Sequence, residues 1–124
     1  MMNRKSPTLL SSHIVDHHAV ITLCADHQLD DFKGHFSTFA LLPGVSQIDW
    51  AVHFATLYFS DMPTEFKGID VVKFQQPILP NTIITLTLDW VIDKQKLHFS
   101  FSSLTPENEK NIHSSGKITM GITA

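Results

Sequence analysis

Hydropathy along the chain follows two periods, and the switches between them mark out the elements. Between His13 and Ala25, the positions Ala19, Ile21, Leu23 and Ala25 are apolar and Thr22 falls between them. That period of two predicts a strand with one buried face. From Pro43-Gly44 the spacing changes: Val45, Ile48, Val52, Ala55 and Phe59 recur every three or four residues. This predicts a helix running to about Ser60, with Asp61 and Pro63 to stop it. Ala51, Phe54, Leu57 and Tyr58 add apolar character on other sides of the helix, so cover nearly all round it is expected. The period of two then returns in Phe66–Gln75, Ile84–Ile92, Leu97–Phe101 and Ile112–Ile122. Asp93-Lys94 and the stretch Thr105–Lys110 suit turns between them. Residues 1–11 read as a loose polar lead-in containing Pro7. The expected order is strand, helix and four strands: an α+β domain with an antiparallel sheet wrapped around one long central helix.

Composition narrows the setting. A chain of 124 residues has room for one core, so residues 1–124 are expected to form a single domain. With 43% hydrophobic and 17% charged residues it should be compact. A net charge of −3 gives no overall positive field for nucleic acid. Cys24, the single cysteine, can form no internal disulfide, which favours a reducing compartment. Its alternating apolar neighbours suggest a buried small hydrophobe. No run approaches the ~20 apolar residues of a membrane span, and Arg4 and Lys5 precede no secretion-like apolar segment. The cytoplasm is therefore the expected location.

The candidate chemistry is concentrated in Gly34–Asp49, GHFSTFALLPGVSQID. It contains a histidine beside a glycine, then Pro43-Gly44 at the helix start, then a carboxylate, Asp49, on the apolar helix face shared by Val45 and Val52. A base, a helix N-terminus and a poorly solvated acid so close together suggest acid–base chemistry on a carbonyl compound.

The same residues resemble a known family. GHF at 34–36, PGV nine residues after Gly34, and QID following after Ser46 are similar to the signature of the hot-dog-fold 3-hydroxyacyl-ACP dehydratases of the FabZ/FabA type. The later run FKGIDVVKFQQPILPN resembles that family's second hallmark, and LLPGVSQIDWA is closer to the branch found in aryl-polyene clusters, the ApeI-like proteins. The resemblance implies a hot-dog fold, with His35 as catalytic histidine and Asp49 as partner acid. It implies that the Gly44 N–H holds the thioester carbonyl. It further implies a homodimer with shared active sites, each joining His35 of one chain to Asp49 of the other, and possibly a higher oligomer. The substrate would be a 3-hydroxyacyl group on an acyl carrier protein, or an acyl-CoA, in fatty-acid or polyene-type lipid biosynthesis. The family's prolines after HF are replaced here by Ser37 and Ala40.

Elimination of water from such a thioester requires a base at C2, a polarised carbonyl and an acid for the C3 hydroxyl, and no metal or organic cofactor. Imidazole, with a reference pKa of about 6.5, suits the first task. The apolar helix face is expected to keep Asp49 protonated for the last. Phe32, Phe36, Phe39, Leu41, Pro43 and Val45 are candidates for an acyl tunnel. His53, one turn past Asp49, is a candidate to orient it. Lys67, Lys73, Lys33 and Arg4 could form a basic rim for an acidic carrier protein, against ordinary solvated lysines. The other histidines, His13, His17, His18, His27, His98 and His113, are expected to be solvated. Two other readings stay open: a hot-dog acyl thioesterase, and a non-catalytic acyl-binding hot-dog subunit.

Overall fold

The computed structural model describes residues 7–26 and 42–121. Six strands and one helix follow in the order β1 (Thr8–Val15), β2 (His18–Ala25), α1 (Gly44–Tyr58), β3 (Phe66–Phe74), β4 (Thr82–Val91), β5 (Lys96–Leu104) and β6 (Lys110–Met120). All six strands form one sheet in the order β1-β2-β4-β5-β6-β3, with every neighbouring pair antiparallel.

Period-two alternation accounts for the inner face. Ala19, Ile21 and Leu23 of β2, Ile84, Leu86 and Leu88 of β4, Leu97 and Phe101 of β5, and Ile118 of β6 are fully buried. They share one core with Trp50, Ala51, Phe54 and Ala55 of α1. Each large side chain removed from water contributes roughly 1.5–3 kcal/mol before conformational entropy is counted. The registers Leu88↔Phe99 and Leu97↔Ile118 keep those apolar rows in line across the sheet.

The predicted strand from His13 to Ala25 is in fact the end of one strand, a turn and the whole of the next in a hairpin. Val15 ends β1, Asp16 turns the chain with φ 53°, and β2 returns from His18. β1 begins at Thr8, inside the stretch expected to be loose. It lies at the sheet edge with most residues exposed and a bulge between Leu9 and Ser11, so it has no apolar alternation to read. The β4–β5 turn is longer than Asp93-Lys94 and closes with Gln95 at φ 53°. Thr105–Lys110 forms the expected turn, held by Asn108 N–H to Thr105 O at 2.8 Å and Thr105 N–H to Glu109 O at 2.8 Å.

Cover around α1 is incomplete. Its buried side carries Gln47, Trp50, Ala51, Phe54 and Ala55. Val45 and Leu57 are exposed, and Ile48 and Val52 are only half-buried. The predicted Val45/Ile48/Val52 face is thus a flank of the helix rather than the side seated on the sheet. Cys24 is half-buried on the face opposite Leu23, not in the core.

Candidate active site

α1 starts where proline and glycine dictate. Pro43 is its N-cap with φ −60° and ψ 150°, and Gly44 is the first helical residue. Among the described residues no side chain caps this end, and the first turn holds no acid. No side chain among the described residues therefore takes up the leading N–H groups or the positive end of the helix dipole. Phe74, the last residue of β3, lies against Gly44: a Cβ there would be 2.5 Å from the ring's Cζ. Only glycine permits that approach.

A cavity of about 360 Å³ opens beside Gly44, lined also by Leu42, Gln47, Phe74 and the Gln75-Gln76-Pro77 segment. Two neighbouring residues of β6 hold its walls. The Gln75 and Gln76 N–H groups donate to His113 O at 2.9 and 3.3 Å. His113 Nδ1 lies 3.2 Å from Gln76 O, which can only accept, so Nδ1 carries the proton and Nε2 accepts from the Ser103 hydroxyl at 2.7 Å. Ser114, next in sequence, donates to Gln47 Oε1 at 2.6 Å on the helix side.

Asp49 follows Gly44 by five residues, about 7.5 Å along the axis at ~1.5 Å per residue. It lies in a second recess of about 330 Å³ with Val45, Ile48, Val52, Phe66 and Ile69. The walls are apolar as expected, but the expectation of a poorly solvated acid is not met within one chain: Asp49 is exposed. The recess opens outward between α1 and the edge strand β3, whose Phe66, Ile69, Val71 and Phe74 are all exposed.

The structure therefore places Gly44, Pro43, Val45 and Asp49 along one end and flank of α1. His35 and the tunnel candidates Phe32, Phe36, Phe39 and Leu41 lie outside the described residues, as do Lys33, Arg4 and His27. His53 is exposed and its ring meets Phe54 edge-on at 5.2 Å, with no hydrogen bond to Asp49. Lys67 pairs with Glu65 at 3.5 Å, and Lys73 sits on the same strand.

Several histidines expected in solvent are engaged. His17 contacts Asp61 at 2.7 Å, His18 contacts Asp89 at 2.6 Å, and His113 is buried. The His17 hydrogen bond is the main cause holding the Asp61 carboxyl below its ordinary range. Asp70 is lowered likewise, first by Lys96 at 2.6 Å and then by Thr119 at 2.9 Å.

Gln47, Ser114 and Phe74 have no place in the sequence reading, and His113 appears there only as a solvated histidine. For Gln47 a signal existed: it lies three, four and seven residues before Trp50, Ala51 and Phe54, a polar position on an otherwise apolar stripe.

Residues 11–117 match the profile of the ApeI-like family, described as ApeI dehydratase. The chain belongs to this dehydratase family. A FabZ 3-hydroxyacyl-[acyl-carrier-protein] dehydratase of Polynucleobacter necessarius is 32% identical over 84 residues, covering 63% of this chain and 56% of that protein. The chain thus matches little more than half the length of that curated relative. Among solved structures, the ApeI:P dehydratase heterocomplex of Xenorhabdus doucetiae is 34% identical with a TM-score of 0.81, covering 92% of this chain and 96% of the other. An uncharacterised protein of Erwinia carotovora subsp. atroseptica is 40% identical with a TM-score of 0.82, covering 92% and 94%. The dehydratase domain of PpsC from Mycobacterium tuberculosis shares the fold at 18% identity, TM-score 0.72, over 96% of this chain and 46% of that one. The family member is therefore an antiparallel sheet with, among the described residues, a single helix, in the hot-dog arrangement of dehydratase domains. No helix among its described residues is long and apolar enough to cross a membrane.

Proposed function

We infer that this protein dehydrates 3-hydroxyacyl thioesters carried by an acyl carrier protein, giving the trans-2-enoyl thioester. The observation that carries this reading is the uncapped N-terminus of α1, with Gly44 opening on a cavity and Asp49 further along the same helix, in a chain of the dehydratase family. The Gly44 N–H binds the thioester oxygen and stabilises the charge that develops there. His35 removes the C2 proton. The electron pair forms the C2=C3 bond, the C3–O bond breaks, and Asp49 gives its proton to the departing hydroxyl, so water leaves. His35 ends protonated and Asp49 ionised, and a proton returned from one to the other through solvent resets the site.

A second hot-dog chain completes this site. Its support is the open recess at Asp49 and the adjoining edge strand with four exposed large apolar residues. Covering that flank removes water from Asp49 and brings the His35 of another copy to it. Among relatives, the Xenorhabdus protein occurs in a heterocomplex.

The test is incubation with 3-hydroxyacyl carrier protein, following enoyl absorbance and free thiol together. Enoyl formation without thiol release is expected. Thiol release without enoyl absorbance would make the protein a thioesterase, and neither would favour an acyl-binding subunit. Light scattering at micromolar concentration should give at least twice the monomer mass, and a monomer would overturn the shared site.

A further inference from the structure

Gln47 is a polar side chain on the buried side of α1, one turn past Gly44. Its surroundings give it two partners. Nε2 donates to the Leu42 carbonyl at 3.2 Å, and Oε1 accepts from the hydroxyl of Ser114, itself completely buried, at 2.6 Å. Leu42 is buried as well, and its N–H donates to Ile78 O at 2.8 Å. Both backbone polar groups of the residue two before Gly44 are therefore tied, one to the segment after β3 and one to the helix itself. The regular helix ladder begins one residue later, with Gln47 N–H to Pro43 O at 3.2 Å. The Leu42 carbonyl is outside it, and the Gln47 side chain serves it instead.

An apolar side chain of similar length would fill this volume without the desolvation cost of an amide. What glutamine adds is direction: it holds the Leu42–Pro43–Gly44 backbone to the helix at one end and to β6 at the other. We propose that Gln47 is a positioning residue that aims the Gly44 N–H at the substrate carbonyl, acting through Leu42 and anchored by Ser114. This rests on the dehydratase reading above. A donor displaced by about 1 Å can lose ~10²-fold in rate, so a loosened backbone at Gly44 should act on turnover rather than on substrate binding.

The test compares wild type with Gln47→Met, which keeps the length and removes both hydrogen bonds. In steady-state dehydration, kcat should fall by at least ~10-fold with KM within about threefold. Amide hydrogen exchange at Leu42 should quicken in the variant while that at Phe59, at the other end of α1, is unchanged. A kcat within twofold of an active wild type would overturn the positioning role and leave the dehydratase reading intact. So would a fall in kcat that merely tracks the folded fraction from thermal unfolding. If the wild type itself has no turnover, the dehydratase reading fails, and unchanged Leu42 exchange in Gln47→Met would separately sink the proposed tie. Should Gln47→Met not fold, Ser114→Ala removes only the anchor. A kcat loss of roughly threefold or more at constant KM is then expected, and no loss would overturn the proposal.

Discussion

Replacing Gly44 with alanine separates space from chemistry at the proposed carbonyl site. The new Cβ would stand 2.5 Å from Phe74 Cζ, 2.9 Å from Cε1 and 3.1 Å from Cε2. Ordinary carbon contacts lie at about 3.5–4.0 Å, so the ring tip has to withdraw by roughly 1–1.5 Å. Phe74 ends its strand and is half exposed, so the ring can turn away without moving buried neighbours. The overpacking cost then falls near the low end of the usual range, about 1 kcal/mol. Lower chain entropy in the unfolded state offsets some ~0.4–1 kcal/mol of it. The net change in stability should stay under ~1 kcal/mol, a Tm shift of no more than about 5 °C for a chain of this size. Activity should respond very differently. A methyl group on the cavity wall keeps the thioester from the backbone N–H, and loss of such a donor costs ~10²–10³-fold in kcat, or about 2.7–4 kcal/mol. Thermal unfolding and initial-rate dehydration on the same preparation give both numbers. Turnover within threefold of wild type in a folded Gly44→Ala protein would show that the carbonyl is not held at Gly44. A loss of more than ~3 kcal/mol of stability would show that the ring cannot move as argued.

Other substitutions test other parts of the structure. Gly116→Ala should be the costlier glycine change, because its Cβ would lie 2.7 Å from both the buried Phe99 ring and the Val71 backbone oxygen; we expect ~1–3 kcal/mol or more lost in urea unfolding. Asp49→Asn should lower kcat by ~10²–10⁴-fold while stability stays within about 0.5 kcal/mol, since asparagine matches aspartate in size and the side chain is exposed within its own chain; a large drop in the urea midpoint would contradict this. Asp70 is held ionised by Lys96 and Thr119, so its folded-state pKa lies below its unfolded value. Its contribution is present above the ordinary carboxylate pKa of about 4 and lost as pH falls through the lower folded value. The stability gap between wild type and Asp70→Asn should therefore be full at neutral pH and close as pH drops below about 4; a gap that persists at low pH would refute the linkage.

How much of this was legible depended on whether burial had one side. β2, β4 and β5 alternate cleanly because one face of each packs on the core shared with α1; β4 and β5 were bounded within a few residues, and β2 at its C-terminal end. Most of β1 is exposed, with Ile14 packed against the core, so its residues carry no period to mark it as a separate strand. On α1 the Val45/Ile48/Val52 row cannot be told from a core row by period alone, because apolar residues facing a recess look the same in sequence as those facing a sheet. The true inward side was obscured by Gln47, whose polarity reads as solvated until Leu42 and Ser114 are seen to satisfy it. The helix start at Pro43-Gly44 and the apolar company of Asp49 were legible in the sequence. The exposure of Asp49 was not, because it depends on which flank of the helix the sheet leaves open.

His113 and Ser114 give the cleft beside Gly44 a mechanical character. The first holds the Gln75-Gln76 wall and the second holds the helix wall, from adjacent positions on a strand paired on both sides. Both jaws are thus mounted on one rail. Separating the two walls requires breaking one of those attachments, so the backbone around the aperture at Gly44 is a fixed gauge, and the exposed Phe74 ring on its rim is the part that can adjust.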